Sequence, residues 1–138
     1  MVPSYIVAPF LGWLVAGSLK FVINSIRARS LAFGLIGYGG MPSTHTTIVT
    51  TTAMLVGLNE GWNTPFFAIA VTLGFIVVLD AVSLRRQIGS HAVALNRLTA
   101  GDPTRKSVRE RIGHHWTEVL GGFVVGSACA LALHLHGG

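Results

Sequence analysis

The chain has 138 residues, which suits a single domain over residues 1–138. It is 51% hydrophobic and 11% charged, with a mean hydropathy of +0.61, which excludes an ordinary water-soluble domain and points to a bilayer. A single cysteine, Cys129, rules out an intrachain disulfide and a cysteine metal cluster, and the net charge of +5 is spread very unevenly.

The N-terminus has no basic residue ahead of its first apolar run, so it does not read as a cleavable signal peptide. That run, residues 5–26, predicts a membrane-spanning helix. Lys20 interrupts it, and its long side chain can reach the headgroups. Asn24, Arg27 and Arg29 mark the exit. Residues 30–38 are apolar but brief and read as a short surface or re-entrant helix.

Residues 39–45 read GGMPSTH. The glycines permit a turn that a side chain would hinder. Pro42 suits the first turn of a helix, where its missing N–H is not needed. Ser43 and Thr44 offer hydroxyls, and the first-turn amides have no intrahelical partner. The helix dipole favours an anion there, and His45 can give or take a proton near neutral pH. The group suits a phosphate with a general acid beside it. The same residues also make an ordinary helix cap.

A second span is predicted over residues 42–58. Its threonines (Thr44, Thr46, Thr47, Thr50, Thr51 and Thr52) suit helix packing, through bonds to their own backbone or to a neighbouring helix. A tight connection at 59–64 carries Trp62, a natural interface anchor. The third span covers residues 65–84. Asp80 lies in its last turns, where an acid either serves function or pairs with a nearby Lys or Arg. Arg85 and Arg86 follow.

Residues 85–113 form the one long polar stretch. Within it, 91–98 has helical character, 101–103 signals a turn, and 105–111 reads as a basic helix. A fourth span covers 114–135, with Gly122, Gly126 and Ala130 as a small-residue stripe for close helix approach. His134 and His136 read as an exposed end; a metal site there lacks a third ligand.

Four spans with both termini on one side place every Lys and Arg on the other. The positive-inside rule makes that side the cytoplasm. The fold expected is an all-α, polytopic membrane bundle of about four transmembrane helices plus short interfacial or re-entrant helices. Lys20, Arg27, the 42–45 cradle, Asp80, Arg85 and His114 then converge on one membrane face. Glu118, four residues after His114, can hold an imidazole in one tautomer. Two histidines suit a two-step phosphoryl transfer, one attacking phosphorus and one protonating the leaving alkoxide. Lys and Arg would neutralise the transferring group.

The order Lys-x6-Arg, Pro-Ser-x-His, Arg and His-x3-acid resembles the type 2 phosphatidic acid phosphatase superfamily, which includes vanadium haloperoxidases. Residues 39–45, 80–96 (DAVSLRRQIGSHAVALN) and 112–122 (IGHHWTEVLGG) resemble its small divergent branch. The resemblance implies a helical membrane phosphatase that needs no metal and no cofactor. His114 would be the nucleophile, forming a phosphohistidine, with Glu118 orienting it and His45 as general acid. Lys20, Arg27 or Arg29, Ser43, Thr44 and an arginine, Arg85 or Arg109, would hold the phosphate, with Asp80 beside them. His115 is the alternative nucleophile.

The chain departs from the superfamily pattern at Thr44, Ala28, Glu118 and His91. Its span count is below the usual six, which a homodimer or a shortened site would offset. The expected substrate is a lipid phosphate monoester or diphosphate, of the phosphatidic acid, phosphatidylglycerol phosphate or polyprenyl phosphate type. The bilayer is the other partner, and no nucleic acid is expected. The expected place is the cytoplasmic face of an inner membrane, with both termini outside. A non-catalytic binder or transporter of anionic lipid is the rival reading, and a purely structural membrane protein a third.

Overall fold

The computed structural model describes residues 5–31, 40–102, 104–110 and 112–137. Helix α1 is Val7–Ala28 and α2 is Thr44–Glu60. Helix α3, Pro65–Leu79, runs through a π-helical turn, Asp80–Leu84, into α4, Arg85–Leu98. Helix α5 is Trp116–Gly137. The described residues contain no strand, and the fold is an all-α membrane bundle.

Helix α2 is the hub, and its threonines explain why. Thr46, Thr47, Thr50 and Thr51 are buried. Thr47 Oγ1 donates to the Ser43 carbonyl at 2.9 Å, and Thr51 Oγ1 to the Thr47 carbonyl at 2.8 Å. Such back-bonds satisfy the hydroxyl within its own helix and leave the methyl group to pack. Against one side lies the α5 stripe. A methyl group on Gly122 or Gly126 would sit 2.7 Å from Thr46 Cβ or Thr50 Cβ, respectively. Against the other side lies a matching α1 stripe, Ala8, Gly12 and Ala16, all buried. A methyl group on Gly12 would lie 2.7 Å from Thr51 Oγ1. In lipid, helices gain little from hiding apolar surface from one another, so close backbone approach through small residues carries the association.

Helix α3 buries no residue, and Phe66, Ile69, Phe75 and Ile76 are all exposed, as lipid contact requires. Trp62 folds back over Gly57, where only a glycine leaves room for the indole, and meets the Phe67 ring edge-on at 5.2 Å. At the same end Tyr5 Oη donates to the Glu60 carboxylate, and His134 Nδ1 lies 2.5 Å from Asn59 Oδ1. His136 Nδ1 instead stands 2.8 Å from the Ala132 carbonyl of its own helix.

Among the described residues, three helical stretches are long and apolar enough to cross a membrane: Val7–Ala28, Pro65–Leu98 and Trp116–Gly137. Helix α2, with 17 residues, is shorter and more polar than these, and it runs buried through their middle. The third stretch does not stop at residue 84 as its charge pattern suggests. It continues as helix to Leu98, through the π-turn in which Arg85 pairs with Asp80.

Residues 105–110 are not helical, contrary to the sequence expectation. Asp102 and Thr104 form a turn through the Asp102 carboxylate, and the chain then lies extended along α4. The Asn96 amide captures it there by donating to the Val108 carbonyl and accepting from the Val108 N–H, each at 2.8 Å. Pro42 also falls outside the helix it was expected to open, since Ser43 is the cap and α2 starts at Thr44. The short helix expected over 30–38 falls on residues of which only 30 and 31 are described.

Candidate functional site

The site is assembled from two helix starts and the π-turn. At the start of α2, Gly40 has φ +139°, a conformation that favours glycine. Ser43 is fully buried and caps the helix: its Oγ accepts from the Thr46 N–H and from Thr46 Oγ1. Its own N–H donates to the Glu118 carbonyl at 2.8 Å, tying the start of α2 to the start of α5. Thr44 and His45 follow in the first helical turn. Lys20 Nζ, from α1, donates to Thr44 Oγ1 at 3.1 Å.

At the start of α5, Gly113 has φ +101° and packs against Arg86. His114 precedes the helix and is buried. Its N–H donates to the Ala81 carbonyl inside the π-turn at 3.1 Å. Its Nδ1 lies 2.6 Å from Glu118 Oε2. The same carboxylate oxygen accepts the His115 backbone N–H at 3.3 Å, one half of a capping box. Glu118 therefore engages the ring of His114 and only the backbone of His115, whose side chain is exposed. With Nδ1–H donated to a carboxylate, the imidazole keeps its Nε2 lone pair available.

In the π-turn, Asp80 Oδ2 accepts from Arg85 Nε at 2.8 Å. Arg85 Nη2 stands 3.5 Å from His45 Nε2. The His45 and His114 rings face each other with centroids 6.3 Å apart and a 59° tilt. That separation is wide enough for a tetrahedral group between the rings and too wide for a direct hydrogen bond. With neutral imidazoles, Lys20 and Arg85 balance Asp80 and Glu118. An arriving anion would thus favour a protonated histidine.

The structure brings together Lys20, Thr44, His45, Asp80, Arg85, His114 and Glu118. Ser43 lies beside them as a buried cap. Arg27 and Arg29 do not join the group: both are exposed at the end of α1, with Arg29 at its left-handed C-cap. Arg109 is exposed in the segment that lies along α4. A recess of about 280 Å³ opens behind the His114–Glu118 pair, lined by Arg86, Ser90, Glu110 and Ile112 among others, and it does not reach His45 or Arg85. Among the described residues no three His, Cys, Asp or Glu side chains converge as metal ligands.

Sequence reasoning missed the residues that hold this arrangement from behind. Asn96 also donates to Glu110 Oε1 at 2.8 Å, and Gly89 lets the backbone at Glu110 pass so close that a methyl group would sit 2.7 Å from its carbonyl oxygen. Arg85, Gly89, Ala92 and Asn96 share one face of α4, and their 4–3–4 spacing was the available signal.

Comparison with known proteins gives the family. A family model described as the divergent PAP2 family matches residues 2–129. The chain is 29% identical over 137 residues to an uncharacterized membrane protein, YuiD of Bacillus subtilis (strain 168), covering 87% of each chain. No solved structure matches the chain at a significant level. The chain is a membrane protein that belongs to the divergent PAP2 family.

Proposed function

We propose that the protein is a lipid phosphate phosphatase working through a phosphohistidine. The observation that carries this is the pair of facing imidazoles, one of them bound through Nδ1 to the Glu118 carboxylate, with Arg85 and Lys20 beside them. His114 Nε2 attacks phosphorus while the bond from phosphorus to the lipid oxygen breaks. His45, protonated, gives its proton to the departing alkoxide. Glu118 takes the growing charge of the His114 ring through Nδ1–H. In the second step water attacks phosphorus, His45 accepts the water proton, and the P–N bond breaks to release phosphate and restore His114. Arg85, Lys20 and Thr44 hold the phosphoryl oxygens. No metal step is needed in this scheme.

The substrate is an amphiphile carrying a phosphate monoester or diphosphate. Helix starts at headgroup depth let the phosphate enter while the tail stays in lipid. The described cationic residues of the α1 end and of the 85–110 stretch lie at the same end of the bundle, which supports a site on the cytoplasmic face of an inner membrane.

The test is phosphate release by detergent-purified protein from a panel of lipid phosphates, with excess chelator. Release that survives the chelator and disappears in His114→Ala is expected. Absence of release from every lipid by folded protein that still binds lipid would replace the enzyme with an anionic-lipid binder.

A further inference from the structure

The π-turn joins the two halves of the site. Residues five apart in an α-helix point about 140° away from one another. In a π-turn the ladder closes between i and i+5, so such residues stack on one face. The Arg85 N–H donates to the Asp80 carbonyl, and the Asp80 carboxylate accepts from Arg85 Nε. Backbone and side chains of the same two residues are thus paired twice. One residue further on, the Ala81 carbonyl accepts the His114 N–H. The same turn therefore sets the direction of Arg85 and the position of His114.

The geometry points to Asp80 as a positioning residue, acting on the phosphate only through Arg85. A carboxylate bound to Nε fixes the guanidinium plane and leaves its Nη edge toward His45. A carboxylate in direct contact with a phosphate dianion would instead repel it. This assignment rests on the phosphatase reading for its kinetic consequence and on the π-turn geometry alone for its structural one.

Both consequences are measurable on the full chain in detergent. In ¹⁵N-labelled protein, the Arg85 Nε–H signal, identified by its disappearance in Arg85→Lys, should exchange slowly with water. Asp80→Asn keeps a carbonyl acceptor and should keep that signal, while Asp80→Ala should lose it. In turnover of a lipid phosphate, Asp80→Ala should raise KM about tenfold and lower kcat less, and Asp80→Asn should stay within about threefold of wild type. In an Arg85→Ala background, Asp80→Ala should add nothing, because residues that act as a unit are non-additive.

An equal loss from Asp80→Ala with and without Arg85 would overturn the assignment. So would an Arg85 Nε–H signal that persists in Asp80→Ala. If wild type releases no phosphate from any lipid, the phosphatase reading falls, and the Nε–H signal still decides whether Asp80 holds Arg85.

Discussion

The two ends of the bundle carry similar side chains put to different use. At the far end, Tyr5 meets Glu60 and His134 meets Asn59, so the polar side chains there are tied to one another across the bundle. At the candidate site, Glu118 holds only Nδ1 of His114, Asp80 holds Arg85 by Nε, and His45 stands beside both. Nε2 of His114 and the Nη edge of Arg85 are left toward the space that His45 faces. A polar cluster whose groups satisfy one another fastens helices. One whose outer groups are held from behind, with reactive edges turned inward, is arranged for a ligand.

Substitutions that remove an inward edge should act on turnover, and those at the far end on stability alone. The largest effect is expected for His114→Ala, with phosphate release down by about a thousandfold or more, while His115→Ala changes it by less than about threefold. Equal losses in a steady-state assay would erase the distinction drawn from the Glu118 contacts. In the first turnover, His45→Ala should slow departure of the alcohol from an alkyl lipid phosphate by about a hundredfold or more, and much less departure of the phenol from an aryl phosphate, whose leaving group needs no proton. Equal slowing on both would remove His45 from the acid role. With both histidines in place, kcat/KM should pass through an optimum and fall on either side of it, since one imidazole acts unprotonated and the other protonated.

Packing should come next in size. Gly126→Val would push α5 away from Thr50 and the Thr47 carbonyl, with a loss of about 1–3 kcal/mol, read as a lower thermal midpoint in detergent. The smallest effect belongs to the far end: Asn59→Ala should lower that midpoint slightly and leave phosphate release within about twofold. A large loss of release there would show that the two ends are coupled.

Much of this was legible in the chain because it is local. The stripe Gly122, Gly126 and Ala130 and the threonines of α2 announce close packing, and the structure presses one against the other. His114 and Glu118 lie one turn apart, so their pairing could be read from spacing, although His114 sits just outside the helix. Other features depend on contacts between distant residues. Nothing in the local pattern of 105–110 says that Asn96 will hold it extended. The Ala81 carbonyl inside the π-turn accepts the His114 N–H, from a residue 33 positions later in the chain. The α1 stripe Ala8, Gly12 and Ala16 has the same spacing as the α5 stripe and was readable, but a predominantly apolar helix hides it.

The most direct test is to look for the covalent intermediate. Purified protein would be mixed with a lipid phosphate labelled in its phosphoryl group, quenched in alkali within milliseconds, and digested for mass spectrometry. The account predicts a base-stable, acid-labile phosphoryl group on His114 that is absent in His114→Ala and accumulates when the second step is slowed. Rapid phosphate release with no phosphorylated histidine, or with the label on His115, would contradict it.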